Sequence, residues 1–252
     1  MGQAIGRIEI LPDPLALAHH VAEWMTQAAL AAQGAFRVSL SGGSTPKALY
    51  GLLASDEFRD RFPWQLVSWY WGDERFVPHD DPDSNYRMTC EAMLAKAPVP
   101  PENMHPVPTD GTPEDAARRY ERTLQEAYGA AVLDPRRPLF DVTLLGLGPD
   151  GHTASLLPGE PVLNERKRWV AAVSHGRPEV RITMTYPLIE SSRRVAFLVA
   201  GEEKAEIFSA IRAGDSQVPA ARVQPVGELF WFVDRAAAGE ETGAASHGAR
   251  AR

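Results

Sequence analysis

Three stretches of the chain bring residues able to bind anions or move protons to the ends of apolar runs. In SLSGGSTPKALY, Ser39–Tyr50, the glycines Gly42 and Gly43 accept positive φ and let a ligand come close to the backbone. Ser41, Ser44 and Thr45 add hydroxyls, and Ser44 or Thr45 is placed to cap the helix that Pro46 begins. Successive N–H groups at a helix N-terminus make a concave anion site, although a tight turn is the plain alternative. The spacing G-x-x-x-x-G-K-[ST] is absent, so no nucleotide is implied.

In WGDERFVPHDDPDSNYRM, Trp71–Met88, Asp73, Glu74 and Arg75 follow a glycine that ends a strand. They either orient a polar substrate or pair with one another. The acidic run His79, Asp80, Asp81 and Asp83 lacks the glycine and distal glutamate of a calcium loop, and one histidine does not make a zinc site. It reads as a solvated loop.

The third stretch, LLGLGPDGHTASLLPG, Leu144–Gly159, passes Gly146 and Gly148 and sets Asp150 and His152 on either side of Gly151. Two readings compete. One is a turn after a buried strand. The other is that His152 is displayed as a general base, with Asp150 orienting the imidazole or capping the next turn. Two later cations join the candidates. Arg181 starts the strand in EVRITMTYPLI, and Lys204 lies in the first helical turn of VAGEEKAEIF, where it opposes the helix dipole unless an anion binds there. Cys90, within a helix, reads as a packing residue. The patterns G-x-S-x-G, H-E-x-x-H and C-x-x-C do not occur. An anion cradle, several cations and one displayed histidine suit acid–base chemistry on a small phosphorylated molecule, with no metal and no cofactor.

The elements that must position these residues alternate. Strands are expected at Phe36–Ser41, Leu66–Gly72, Phe140–Gly148, Trp169–Val173, Val180–Thr185, Arg194–Gly201 and Glu228–Asp234. Helical patterns run over Pro14–Gln33, Pro46–Ala54, Asn85–Lys96, Pro113–Tyr128 and Glu203–Ala213. FDVTLLGLG and RVAFLVAG are nearly continuous in apolar residues, as strands covered on both faces are. The alternation predicts an α/β fold: a single domain over residues 1–235 whose mostly parallel sheet is covered by helices, with Ala97–Pro108 as an irregular excursion. Residues 236–252 lack large apolar side chains and are expected to form a disordered tail. Ligands of such sheets bind outside the strands' carboxyl ends, where the candidates above other than Arg181 lie.

Composition bounds the partners. The chain has 252 residues, 44% of them hydrophobic and 23% charged, with a net charge of −7 and one cysteine. That acidity argues against a nucleic-acid or anionic-membrane surface, so an anionic ligand must be held by a local cluster of cations and amides. A single cysteine fits a reducing compartment. The N-terminus has no signal pattern, and no apolar run approaches a membrane span. A soluble cytoplasmic protein is expected, with no obligate protein partner implied.

Taken together, SLSGGSTPKALYGLL, WGDERFVPHDDPDSNYRM, LLGLGPDGHTASLLPG, RITMTYPLI and LVAGEEKAEIF resemble the 6-phosphogluconolactonases, in the right order from about Ser39 to Phe208. The resemblance implies the sheet fold shared with glucosamine-6-phosphate isomerase and hydrolysis of 6-phospho-D-glucono-1,5-lactone in the oxidative pentose phosphate pathway. It implies His152, Asp73 and Arg75 as catalytic residues. Ser41, Gly42, Gly43, Ser44, Thr45, Asp150, Arg181 and Lys204 would bind substrate. The isomerase is the rival, but its pattern carries M-D-E-Y where this chain has Gly72–Arg75, and I-A-F-N-E-P after Asp-Gly-His where this chain has Thr153–Pro158 without a carboxylate. A non-catalytic phosphosugar sensor is the other alternative, and it would need a DNA-binding segment that an acidic domain does not suggest.

Overall fold

A computed structural model of the chain describes residues 5–174, 179–214 and 217–240. Along the chain these form β1 (Arg7–Leu11), α1 (Pro14–Leu30), β2 (Phe36–Leu40), α2 (Ser44–Leu53), β3 (Val67–Trp71), β4 (Asp73–Arg75) and α3 (Asn85–Thr89). A π-helical turn, Cys90–Leu94, continues α3. There follow β5 (Met104–His105), α4 (Pro113–Tyr128), β6 (Val142–Gly146), β7 (Val170–Val173), β8 (Arg181–Met184), α5 (Tyr186–Glu190), β9 (Arg194–Val199), α6 (Ala205–Ala213) and β10 (Glu228–Asp234).

Seven strands make one sheet in the order β1-β10-β9-β6-β2-β3-β5, and every pairing in it is parallel. From β2 the chain moves one way through β3 and β5, then returns to the other side of β2 with β6 and continues through β9 and β10. The order therefore reverses between β2 and β6, which pair at Val38–Val142 and Ser39–Thr143. Loops leaving the two strands diverge there and leave a crevice at their carboxyl ends. The core is apolar on both sides of the sheet: Val38, Leu40, Trp69, Val142, Leu144 and Phe197 are all fully buried. Phe197 stacks on Trp231 with ring centroids 4.0 Å apart.

The helices begin and end where local chemistry allows. The Asp13 carboxylate accepts the Ala16 N–H at 2.8 Å and caps α1. Thr112 caps α4, which stops at Gly129 in the left-handed region. α1 packs on α2 and β10, and α4 packs on β7 and β8.

The structure departs from the sequence-based expectation in a few places. RIEIL (β1) and Met104–His105 (β5) are parallel strands that the pattern did not single out; β5 lies inside the expected irregular excursion. Trp169–Val173 and Val180–Thr185 leave the parallel sheet. As β7 and β8 they form a separate antiparallel sheet in the order β4-β8-β7. Alternation of apolar residues specifies that a segment is a strand, not which sheet takes it. α2 starts at Ser44, so Gly43 and not a hydroxyl residue stands at its N-cap, and Pro46 lies one turn inside. Residues 236–240 continue past β10 as a turn in which Asp234 accepts the Ala237 N–H at 2.7 Å and Ala237 is buried. The rest of the expected tail, 241–252, lies outside the described residues. No helix among the described residues is long and apolar enough to cross a membrane.

Candidate active site

Two tyrosines fix the strand ends at which the site begins. The Tyr50 hydroxyl donates to the Ser41 carbonyl at 2.8 Å and accepts the Ser41 N–H at 2.9 Å, holding the backbone where β2 leaves the sheet. The Tyr120 hydroxyl does the same at the end of β3, donating to the Trp71 carbonyl and accepting the Trp71 N–H, both at 2.9 Å. Burial pushes both phenols well above their usual range, so each keeps the proton it donates. Beyond them lie Gly42 and Gly43, then the first N–H groups of α2.

Gly72 is the joint between the two sheets. Its N–H donates to Leu40 in the parallel sheet at 2.9 Å, and its carbonyl accepts from Met184 in the antiparallel one at 2.8 Å. The next three residues form β4, whose alternation sorts their roles. Asp73 and Arg75 face the crevice, opposite Thr183 and Arg181 of β8. Glu74 points the other way and accepts the N–H groups of Arg75 (2.8 Å), Asn85 (2.7 Å) and Tyr86 (2.7 Å), pinning the following loop. Burial raises the Glu74 carboxyl above the ordinary value although these donors pull it down. Asp73 and Arg75 do not pair with each other. Asp73 accepts the Ser155 hydroxyl at 2.6 Å and lies 3.9 Å from Arg181, while Arg75 is held by the Asp83 carbonyl and Asn85.

The loop after β6 delivers the histidine. A tight turn, closed by Gly151 N–H to Gly148 carbonyl and Gly148 N–H to His152 carbonyl, both at 2.9 Å, folds the imidazole back over Gly148. A Cβ on Gly148 would lie 2.0 Å from the His152 Nδ1, so a side chain there would evict the ring. Gly151 has φ of 78°, the left-handed region that an L side chain rarely adopts. The Asp150 carboxylate contacts the His152 Nδ1 at 2.5 Å and its N–H at 3.2 Å. Burial raises the Asp150 carboxyl, but these bonds to His152 outweigh it and hold the group below the ordinary value. An ionised Asp150 accepts, so Nδ1 carries the proton and Nε2 is the basic nitrogen.

These loops enclose one cleft of about 250 Å³ at the β2–β6 reversal. Every site residue expected from the sequence lines it except Asp150, which stands behind the imidazole as its orienting partner. Lys204 enters from the end of β9, at the junction between a 3-10 turn (Glu202–Lys204) and α6, with its side chain 18% exposed and the Glu203 carboxylate 3.7 Å away. Arg181 donates to Glu179 at 2.6 Å. A larger cavity of about 450 Å³, lined by Val132, Trp169 and Glu190 among others, shares no residue with this cleft. Among the described residues no group of three or more His, Cys, Asp or Glu is placed to hold a metal ion. The acidic run does not gather one either: His79 meets the Val107 carbonyl at 2.8 Å and packs on the Tyr86 ring at a tilt of 40°. Cys90 starts the π-helical turn, half-buried beside Tyr86, with its thiol pushed up by burial.

Sequence reasoning missed Asn85, Ser155 and Ala154. Asn85 and Ala154 line the cleft, and Ser155 supports Asp73 from behind. Ala154 has φ of 47°, strain of the kind found at functional sites. A serine within T-A-S-L-L or an asparagine opening N-Y-R-M carries no signal of its own; only the fold brings Ser155 to Asp73 and Asn85 to Arg75.

A model of the family described as glucosamine-6-phosphate isomerases/6-phosphogluconolactonase matches residues 12–231. The chain is 41% identical over 242 residues to a 6-phosphogluconolactonase of Nostoc sp., covering 92% of this chain and 97% of that one. It superposes with a TM-score of 0.77 on the crystal structure of 6-phosphogluconolactonase from Thermotoga maritima, at 29% identity, covering 90% of this chain and 99% of that one. It also shares its fold with a monomeric glucosamine-6-phosphate deaminase (TM-score 0.78, 21% identity, 93% of this chain and 100% of that one). With the family model spanning the strands, loops and cations that build the cleft, the chain belongs to the glucosamine-6-phosphate isomerase/6-phosphogluconolactonase family.

Proposed function

We propose that this chain hydrolyses 6-phospho-D-glucono-1,5-lactone to 6-phospho-D-gluconate, with His152 as the general base. The observation that carries the reading is the placement of His152, Lys204 and the Gly42–Thr45 amides around one cleft, so that a ligand held at one end by its phosphate presents its other end to an imidazole. The substrate phosphate sits against the backbone N–H groups and hydroxyls of Ser41–Thr45, with Lys204 supplying charge through short, charge-assisted bonds. Nε2 of His152 takes a proton from water as that water attacks the lactone carbonyl carbon. The C–O ring bond then breaks, and the imidazolium, held by Asp150, returns the proton to the departing ring oxygen. Arg75 stabilises the oxyanion that forms at the carbonyl. Asp73, anchored by Ser155, orients the water or a sugar hydroxyl. Arg181 braces Asp73, with part of its own charge taken up by Glu179.

A lactone is an activated ester, so a positioned base, worth about 10²–10⁴-fold, together with orientation needs no covalent intermediate. The segment after His152 favours this reaction over the isomerase one. Thr153–Pro158 contains no carboxylate, and Ala154 is the residue it adds to the cleft. Moving a proton between carbons needs a further acid or base there, while adding water does not.

The test is a coupled assay with purified protein, freshly made lactone and 6-phosphogluconate dehydrogenase, corrected for spontaneous ring opening. Turnover above that background with no ammonia released from glucosamine-6-phosphate is the expected result. Ammonia release without lactone turnover would reverse the assignment, and product binding without either reaction would favour a sensor.

A further inference from the structure

Arg75 and Arg181 stand directly opposite each other in the antiparallel pairing of β4 and β8, on the same face and in the same cleft. Like charges in that position repel, so each needs compensation. They receive it differently. Arg181 is bound by carboxylates, with Glu179 at 2.6 Å and Asp73 at 3.9 Å. Arg75 is held by two neutral oxygens, the Asp83 carbonyl and the Asn85 Oδ1, each accepting from Nη1 at 2.9 Å. No carboxylate of the described residues forms an ion pair with it. Its Nε is buried with no protein partner. With Nη1 occupied, Nη2 is the terminal nitrogen left to reach a ligand.

Asn85 itself is fixed. It is 3% exposed, its backbone N–H is bound by Glu74, and its Nδ2 donates to the Asp73 carbonyl at 2.9 Å. It presses on the anion loop so closely that a Cβ on Gly42 would lie 2.2 Å from its Oδ1. One amide thus ties β4, the guanidinium and the Gly42 turn together. We propose that Asn85 is a positioning residue for Arg75: a neutral acceptor that aims the guanidinium into the cleft while leaving its charge unspent for the ligand. This rests on the lactonase reading for its catalytic consequence, but not for its geometry.

The discriminating substitution is Asn85→Asp, which keeps the shape and makes the acceptor anionic, giving Arg75 a carboxylate partner as Arg181 has; it also removes the Nδ2 donor to the Asp73 carbonyl, a loss common to both Arg75 backgrounds. Wild type, Asn85→Asp, Arg75→Ala and the double variant are compared by thermal melting, by kcat and KM on the lactone, and by calorimetric affinity for 6-phosphogluconate. Asn85→Asp is expected to lose at least about tenfold more in kcat/KM in the wild-type background than when Arg75 is already alanine. Equal losses in both backgrounds, or none in the first, would overturn the proposal. If Asn85→Asp does not fold, Asn85→Ser, which is too short to reach Nη1, is held to the same comparison. If the wild type does not hydrolyse the lactone, the functional reading fails by itself, and crystal structures decide the inference. The Arg75 guanidinium must leave its place in Asn85→Ser, and finding it unmoved would contradict the proposal.

Discussion

The Ser155 hydroxyl donates to the Asp73 carboxylate at 2.6 Å, joining residues 82 positions apart, one on the loop that carries His152 and one on the first residue of β4. Both are almost fully buried. This bond is the direct link between the histidine loop and the antiparallel sheet, reinforced by the Ser155 N–H on the Thr183 hydroxyl at 3.2 Å. Ser155→Ala would leave one oxygen of a buried carboxylate without its donor. Such a loss costs about 1–3 kcal/mol, and each kcal/mol lowers the melting temperature of a chain this size by about 2–4 °C. An unchanged melting temperature would show that water or Arg181 replaces the serine.

Lys204 tests the phosphate end. In the proposed reading it meets the phosphate in ground state and transition state alike, so Lys204→Ala should raise KM by about 10- to 100-fold with kcat little changed. The same variant should bind 6-phosphogluconate more weakly with a shallower salt dependence. A variant defective in kcat alone would move Lys204 to the reacting end.

Glu179 offers the opposite sign. It lies outside the cleft but holds the Arg181 Nη2, so it competes with any anion for that guanidinium. Glu179→Gln should tighten 6-phosphogluconate binding, by about two- to fivefold given that the pair is partly exposed. Weaker binding, measured calorimetrically, would mean that Glu179 aims Arg181 and does not restrain it.

The buried Glu74 makes a prediction about pH. Its folded-state carboxyl titrates above the ordinary value because burial outweighs its backbone donors. The native state therefore holds this proton more tightly than the unfolded chain does. The group's contribution to stability is fully present below the unfolded value of about 4.3 and is lost as pH rises through the folded one. The stability of wild type minus that of Glu74→Gln, from urea denaturation, should fall as pH rises from about 4 towards neutrality. A difference that rises over this range would mean that the three N–H donors dominate.

Much of this site was legible before the fold was known, because the residues involved sit at the ends of apolar runs. Gly42–Thr45, His152 and Lys204 each follow a strand that reads clearly, and a parallel sheet brings strand ends together by construction. The helix Pro113–Tyr128 reads true to the residue because Thr112 and Gly129 punctuate it. What was hidden depends on contacts distant in sequence. Asp73–Arg75 is too short for alternation to declare itself a strand, so the opposite facing of Glu74 and its neighbours was not apparent. The switch of sheets at Gly72 depends on hydrogen bonds to Leu40 and Met184, more than 30 and 110 positions away. Asn85 and Ser155 are ordinary polar residues whose value comes only from what the fold places beside them.

The proposed mechanism turns on the imidazole of His152, held by Asp150 beside an anion cradle, activating the attacking water. Steady-state turnover of His152→Ala on the lactone, with 6-phosphogluconate affinity measured on the same preparation, tests it most directly. A fall in kcat of about 10²–10⁴-fold is expected, with product affinity changed by less than about threefold because the phosphate end is untouched. Hydrolysis by the variant at the wild-type rate would contradict it.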